Sequence, residues 1–564
     1  MGVRMTRKTV EERNRITNVR IKNFRCFEDF CGDLEKLTSI VGENGCGKTS
    51  VLEAINMAMR SGGSRSFSLS DFRDSADIPI QIEVTTRLPF IVKVVDFPAT
   101  RDIQCDRVQM VVKRRAQASA GRALSDPFVV TRYGVPINDP LLYREVEGGW
   151  EMDRVDKSKG VFQFTTRHLA MTSENTENLP NVFYFGKNRE MQSKAEYNTT
   201  MSRILDEYNW RFRHNADDAA TEGMADLWQQ LYETAIANVG DTKHDAVMGG
   251  FIGQAQEVLG NDYSGLELAS FGVLSPFQDA ALIQRDGVHQ LGLGSMGSGI
   301  SMVLTLLLLE NVSRLGEQKQ DLVFLIDEPE MHLHPQLQER LRTHLADTPH
   351  QVLYTTHSPL MVSLGDWRSV RRVDRRGHFL PTREVLNETT PAKNGDELPF
   401  HGWLDDMTAT KKKHVTTLLR ENNELLFAEK VVLVEGAADK HCLRVLPEVT
   451  GHDIGNITPI VCGGKGNIPD YQILCRVFGV PFFTVYDEDT GDGEDANQSD
   501  RIRRLGDDGN LHGFSPSMEQ CFGIMGDHDK GMKTIKAIET CAFGEMDAQV
   551  ADLLDKLQAF ASAP

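Results

Sequence analysis

Apolar and polar residues follow different periods along this chain, and the changes of period divide it into textures. Residues 1–15 are polar, charged and without period, which predicts a frayed end. Ile16–Ile21 alternates as a strand running into Lys22–Phe27, and Leu37–Val41 is an apolar strand followed by a glycine-rich turn and the helix-like Val51–Ile55. From Ile78 to Val135 short β-branched runs punctuated by Pro and Gly predict an antiparallel β-region. Residues 136–180 show no clean period and read partly as loop. Strand signals vanish between Met191 and about Leu259, where Leu227, Leu231, Tyr232 and Ala235 recur at helical spacing. Ala281–Leu291 reads as a hairpin turned at Asp286-Gly287. Ile300–Leu309 reads as an apolar helix, and Leu322–Asp327 as a buried strand. Residues 387–410, with Pro391, Asn394, Gly395 and Pro399, predict a linker, and Lys411–Phe427 a helix. A fresh strand–helix alternation then runs to the end.

Composition narrows this little. The chain has 564 residues, long for one core, with 40% hydrophobic and 25% charged residues, as in ordinary globular proteins. The apolar run Val303–Leu309 is far short of a membrane span. No export leader opens the chain, and nine Cys without a C-x-x-C pair read as reduced thiols, so a cytoplasmic protein without a membrane role is expected. A net charge of −19 argues against a surface that coats nucleic acid throughout, but leaves room for local basic strips. Three such clusters, Lys113-Arg114-Arg115, Arg368–Arg376 and Lys411-Lys412-Lys413, each read first as solvated surface.

Candidate chemistry changes the picture more. Gly42-Glu43-Asn44-Gly45-Cys46-Gly47-Lys48-Thr49-Ser50 fits the phosphate-loop pattern G-x-x-x-x-G-K-[ST], between a strand and a helix as that pattern requires. Backbone amides of Gly42, Asn44, Gly45, Gly47 and Ser50 would cradle an anion at a helix N-terminus. Lys48 would reach the β- and γ-phosphates of ATP, and Thr49 would hold Mg²⁺. The strand Leu322–Asp327 ends in two carboxylates, Asp327 for the cation and Glu328 to polarise the attacking water. Gln351–Pro359 reads as another strand, placing His357 near the γ-phosphate. Gly294-Ser295-Met296-Gly297-Ser298-Gly299 opens the apolar helix, where amides and Ser298 could grip a second phosphate.

Loop, signature, acidic strand and histidine in this order resemble the ABC-type ATPases of the SMC/RecF branch. The resemblance implies a γ-phosphate-sensing role for His357. It also implies dimerisation, since one protomer's signature completes the ATP site of another. The signature departs from Leu-Ser-Gly-Gly-Gln, with Ile300 where Gln or Glu is usual.

A second set of acids lies further on. Lys430–Val434 is a strand tipped by Glu435, with Asp439 one helical turn later. Pro481–Tyr486 is a strand tipped by Asp487 and Asp489, which alternation sends to one side. Between them Thr458–Val461 runs into the turn Gly463-Gly464-Lys465-Gly466-Asn467, with a basic residue for phosphate. Hard oxygens at adjacent parallel strand ends suit Mg²⁺ or Mn²⁺. These three motifs resemble the TOPRIM domain of primases, type II topoisomerases and OLD (overcoming lysogenization defect) nucleases.

An ABC-type ATPase with an inserted helical block and a C-terminal TOPRIM domain is similar to the OLD family, to which Gabija-type anti-phage nucleases belong. The resemblance implies an α/β chain: ATPase part with the phosphate loop over 1–180, a helical dimerisation insertion over 181–268, the rest of the ATPase over 269–386, a linker and helix over 387–428, and TOPRIM over 429–564. It implies a DNA endonuclease controlled by ATP, acting in antiviral defence. Glu435, Asp439, Asp487 and Asp489 are then metal-site carboxylates, Glu519 a further acid, and Lys533 or Lys530 the terminal catalytic Lys. Lys533 matches the spacing without the usual following Pro. The partners expected are DNA, further copies of the chain as a homodimer or homotetramer, and a helicase-like protein. The competing reading is an SMC/RecF-like DNA-binding or sensor ATPase whose non-catalytic TOPRIM recruits an effector.

Overall fold

The computed structural model describes residues 13–59, 67–96, 99–114, 128–137, 143–146, 149–156, 161–165, 176–186, 245–263, 265–269, 281–286, 289–292, 297–312, 321–374, 377–391, 397–410, 422–488, 494–506, 508–522, 524, 536 and 547–563. Contacts divide the chain into two compact units, Met1–Ser39 with Gly47–Met361, and Ile40–Cys46 with Val362–Pro564.

The first unit holds an antiparallel sheet of order β2-β1-β4-β5-β6. Its strands are β1 (Ile16–Phe24), β2 (Phe27–Asp33), β4 (Ile80–Asp96), β5 (Ala99–Arg114) and β6 (Phe128–Pro136), with β10 (Thr176–Glu177) on β4. The expected β-region is present, in longer strands than its broken pattern suggested. The stretch that showed no period holds three antiparallel strands, β7 (Tyr143–Val146), β8 (Gly149–Asp156) and β9 (Val161–Thr165).

The same unit carries a parallel run in which β11 (Asn181–Phe185), β15 (Leu322–Asp327), β16 (Gln351–Thr355) and the start of β3 (Leu37–Gly42) lie side by side. Every residue of β15 and β16 is buried, which is why they read as continuous apolar runs. Helix α1 (Lys48–Met59) touches both this run and the antiparallel sheet, and Val51, Leu52, Ala54 and Ile55 are fully buried. Helix α2 (Asp245–Leu259) and helix α3 (Ser298–Val312) pack in one core with β15, joining Phe251 and Val258 to Leu304, Leu307 and Phe324. The hairpin over 281–291 is formed by β13 (Ala281–Asp286) and β14 (His289–Gly292), paired with β12 (Leu266–Ala269).

Two boundaries need correction here. Residues 181–185 are strand, in register with β15 from Asn181↔Leu322 to Phe185↔Ile326, so a helical insertion cannot begin at 181. Helix α2 belongs to the ATPase core; the rest of the expected block, residues 187–244, lies outside the described residues.

In the second unit, the end of β3 accompanies β17 (Val370–Val373), which pairs antiparallel with β18 (Phe379–Leu380). The expected linker is structured. Its strands β19 (Thr389–Pro391) and β20 (Glu397–Pro399) form a hairpin, and helix α5 (Phe400–Thr410), numbered after α4 (Pro335–Asp347) of the first unit, buries Phe400, Leu404 and Met407. Of the helix expected over 411–427, residues 411–421 lie outside the described residues, and Asn423–Leu426 is a 3-10 turn.

The C-terminal sheet is parallel, of order β22-β21-β23-β24. Its strands are β21 (Lys430–Val434), β22 (Ile457–Val461), β23 (Phe482–Asp487) and β24 (Leu511–Phe514). Both faces are covered. Val431 and Leu433 point into one core with helix α7 (Ile468–Val477) and helix α8 (Glu494–Leu505); Val432 and Val434 point into another with helix α6 (Ala437–Thr450) and helix α9 (Ala548–Ser562). Each such side chain stabilises the fold by roughly 1.5–3 kcal/mol relative to exposure. The chain steps from β21 outward to β22, then back across to β23. The order therefore reverses between β21 and β23, and open α/β sheets bind ligands at the carboxyl ends of strands at such a point.

The basic strip expected over Arg368–Arg376 is only partly on the surface. Arg368 is exposed and pairs with Asp405 at 2.6 Å, but Arg371 and Arg372 on β17 are buried, Arg372 to 2% exposure. Arg371 Nη1 donates to the carbonyls of Arg368 and Val370, and Arg372 donates to backbone carbonyls that include Leu426 and Gly479. Arg114 is exposed at the end of β5; Arg115 and Lys411–413 lie outside the described residues.

Candidate functional site

Two sets of polar groups sit where apolar strands end. The first surrounds the start of α1. Gly47 has φ of +104°, and a Cβ there would lie 2.3 Å from Cys26 Sγ and 2.6 Å from Phe27 Cζ. Only glycine lets the loop pass this close to the β1–β2 turn. The Val51 amide donates to the Gly47 carbonyl at 3.1 Å, opening α1 with Lys48 and Ser50 buried. Arg25, in the β1–β2 turn, holds this helix start through Ser50 Oγ at 3.2 Å and Glu53 Oε2 at 2.6 Å. In the sequence Arg25 lies in the run Lys22–Phe27, where no local pattern marks this role. Gly42, Asn44 and Gly45 group with the second unit.

Asp327, fully buried at the tip of β15, accepts from Thr49 Oγ1 at 3.0 and 3.2 Å and from Thr355 Oγ1 at 2.5 Å. A hydroxyl facing a carboxylate is an oxygen donor set that fits Mg²⁺. Glu328 adopts φ of +48°, pinned by its amide donating to Thr355 O at 3.1 Å and Thr355 Oγ1 at 3.0 Å. That turn leaves Glu328 Oε1 3.5 Å from His357 Nε2. The strand β16 ends at Thr355, so His357 stands two residues beyond it, and its amide donates to Glu330 Oε1 at 2.6 Å. Burial raises the Glu330 carboxyl above the usual range, with Glu328 adding repulsion. Glu330 and Thr355 therefore set the positions of His357 and Glu328, roles that depend on a neighbouring strand and leave no mark in local sequence. Ser298 is the first residue of α3; Gly294–Met296 lie outside the described residues.

The second set lies at the reversal between β21 and β23. Glu435 follows β21, and its Oε1 accepts the amide of Asp487 at 3.0 Å. Its carbonyl accepts from the amides of Gly463 and Gly464, at 3.0 and 2.9 Å, which fixes the glycine turn after β22. Asp487 Oδ1 accepts from the Met518 amide at 3.0 Å. Burial first, then the Glu435, Glu519 and Asp439 charges, push the Asp487 carboxyl up to about 8, against the Met518 bond. Asp439 Oδ2 accepts from the Gly436 amide at 2.8 Å, capping its own helix, and burial with Glu519 pushes it up to about 6.

The structure thus brings Glu435 and Asp487 together, with Asp439 and Glu519 close enough to repel Asp487. Carboxylates whose pKa is raised first by burial and then by neighbouring acids form a donor set that a divalent cation fits, since the cation offsets the cost of charging them. Among the described residues, no three His, Cys, Asp or Glu side chains converge to hold a metal ion by themselves. Asp489, Lys530 and Lys533 lie outside the described residues. Lys465, in the glycine turn after β22, is buried, its Nζ 5.9 Å from the centre of the Tyr486 ring.

Comparison with known proteins finds a family match over each half of the chain. A family model described as "AAA domain, putative AbiEii toxin, Type IV TA system" matches residues 37–363, more than half the chain. A second, "Overcoming lysogenization defect protein-like, TOPRIM domain", matches residues 426–489, ending before Glu519 and both candidate lysines. The OLD nuclease of Thermus scotoductus is 27% identical over 490 residues, covering 84% of this chain and 82% of the relative. The Old nuclease of Escherichia phage P2 is 23% identical, covering 83% and 76%. Among solved structures, the Smc head domain of Pyrococcus furiosus superposes with a TM-score of 0.36 at 13% identity, covering 71% of this chain and all of that one. The SMC head domain of Thermotoga maritima gives 0.29 at 12%, covering 68% and 98%. No helix among the described residues is long and apolar enough to cross a membrane. By the span matched from β3 past His357, the chain belongs to the AAA-domain family, and it carries an OLD-like TOPRIM domain behind that ATPase.

Proposed function

We propose that this chain is a divalent-metal-dependent DNA endonuclease whose cutting is regulated by ATP, acting as a homo-oligomer in cytoplasmic antiviral defence. The observation that carries the nuclease is the contact of Glu435 with Asp487 at the sheet reversal, with Asp487 pushed up to about 8 by burial and by three nearby acids. Glu435, Asp439, Asp487 and Asp489, with Glu519, would hold Mg²⁺ or Mn²⁺. The bound cation supplies activation of water and stabilisation of the leaving oxygen. Around it, the Asp487 and Met518 amides orient the two central carboxylates, and Lys533 or Lys530 is the candidate for protonating the leaving group. The names of the two OLD nuclease relatives support the same reading.

For the nucleotide half, Lys48 would bind the phosphates, Thr49 and Asp327 the cation, and Glu328 the attacking water. His357, 3.5 Å from Glu328, would read the γ-phosphate. Two observations favour the alternative sensor ATPase with a non-catalytic TOPRIM. Asp439 caps its own helix, and three acids do not converge among the described residues.

Supercoiled plasmid incubated with the full-length chain and Mg²⁺ or Mn²⁺ separates the two. Nicked or linear product that a chelator stops, at a rate that changes on adding ATP, is expected. Intact plasmid under every metal and nucleotide condition would favour the sensor.

A further inference from the structure

Arg372 is among the largest fully buried side chains of the described residues, and all five of its N–H groups are placed. Nε donates to Leu426 O at 3.3 Å. Nη1 donates to Phe478 O at 3.2 Å and Gly479 O at 2.9 Å. Nη2 donates to Ala428 O at 3.3 Å and Glu43 Oε1 at 3.4 Å. The four carbonyls come from two segments with a common property. Leu426–Ala428 leads into β21, which ends at Glu435; Phe478–Gly479 leads into β23, which ends at Asp487. The fifth partner, Glu43, is the second residue of the phosphate loop.

The loop is seated on the same strand. Gly42 has φ of +138°, and a Cβ there would lie 2.3 Å from the carbonyl of Val373, the residue after Arg372. One guanidinium therefore touches the nucleotide loop and the approaches to both strands that carry the acids. All of these contacts lie within one compact unit.

A buried guanidinium is poorly compensated by neutral carbonyls, so a carboxylate partner matters to it. Burial lowers its pKa, and the Glu43 and Asp374 charges oppose that. Its planar fork fixes the directions of its partners, so a shift of the Glu43 carboxylate turns the fork against the carbonyls. Close-packed interiors pass such displacements on.

We propose that Arg372 is a positioning residue that relays the state of the phosphate loop, through Glu43, to β21 and β23 and so to the acidic site. Its consequence for cutting rests on the ATP-regulated nuclease reading; the relay itself does not.

Hydrogen exchange of the full-length protein, with and without saturating ATP and Mg²⁺, tests it. In the wild type, nucleotide should protect α1 and also change exchange over residues 423–434 and 476–487. In Arg372→Lys, which keeps the charge and loses the fork, that distant response should fall at least about fivefold while α1 is still protected. Glu43→Gln, which keeps a hydrogen-bonding group of similar shape without the charge, should weaken it likewise, and it decides the matter if Arg372→Lys does not fold. An unchanged distant response in both variants overturns the relay, as does a wild type whose α1 is protected with no distant change. Loss of nucleotide binding in the folded variants also overturns it, in favour of a direct role in binding. If the relay is present but plasmid cleavage ignores ATP, the regulatory reading fails and the relay stands.

Discussion

Exchanging Glu435 for Gln is expected to lower plasmid cleavage by about a thousandfold or more, since both cation binding and water activation depend on the carboxylate charge. Gln keeps the shape and an oxygen to accept the Asp487 amide, now at 3.0 Å from Glu435 Oε1, so β21 and β23 should stay paired. It removes one of the charges that raise Asp487, which relieves repulsion and should leave the fold no less stable. Nucleotide affinity should stay within a few-fold of wild type. Initial nicking rates under excess Mg²⁺ or Mn²⁺, beside a thermal melt, measure both halves of this expectation. A loss of less than about tenfold would mean the Glu435 charge is not central to the chemistry.

The second large effect belongs to the other site. Glu328→Gln is expected to lower ATP hydrolysis by about 10²- to 10⁴-fold, the range for losing a positioned general base. Binding should survive, because the candidate cation ligands are Thr49 and Asp327, and these still meet at 3.0 Å. The backbone at Glu328 is set by its own amide bonded to Thr355, which Gln retains. Phosphate release and nucleotide-induced stabilisation, measured together, distinguish a chemical defect from a binding defect. Equal losses in both would assign Glu328 to binding instead.

Much of the site was legible because it sits on strands whose two faces are both covered. Leu322–Ile326 and Phe482–Tyr486 are continuous apolar runs, and a carboxylate at the end of such a run stands out. The phosphate loop was equally readable, since its glycines answer a local backbone demand seen at Gly47. Groups whose position depends on remote chain were not. Thr355 bonds Asp327 across adjacent strands, and Glu330 meets His357 from a turn.

Arg372 is the clearest failure. A run of arginines suggests solvent, yet its carbonyl partners lie 54 and 106 residues away at Leu426 and Phe478, and no local pattern announces them. Helix α5 was missed for a different reason. Phe400, Leu404 and Met407 carry the helical period, but Pro391, Gly395 and Pro399 just before them made the whole stretch resemble a linker. The strand β11 was lost because five residues at the edge of a helical texture are too few to declare a period.

Asp487 links the account to one measurement. Its carboxyl, pushed up to about 8, must lose its proton before it can ligate a cation, so protons and metal compete for it. The sign follows from the raised value: without metal the fold is penalised increasingly as pH rises from the ordinary carboxylate range towards about 8, and a bound cation relieves that penalty. Mn²⁺ binding to the nucleotide-free protein, followed by electron paramagnetic resonance across this pH range, is the most direct test. Bound Mn²⁺ that increases as pH is raised through about 8, and is lost in both Glu435→Gln and Asp487→Asn, is the predicted result. Equal Mn²⁺ uptake by wild type and both variants, or none in the wild type at any pH, would contradict it.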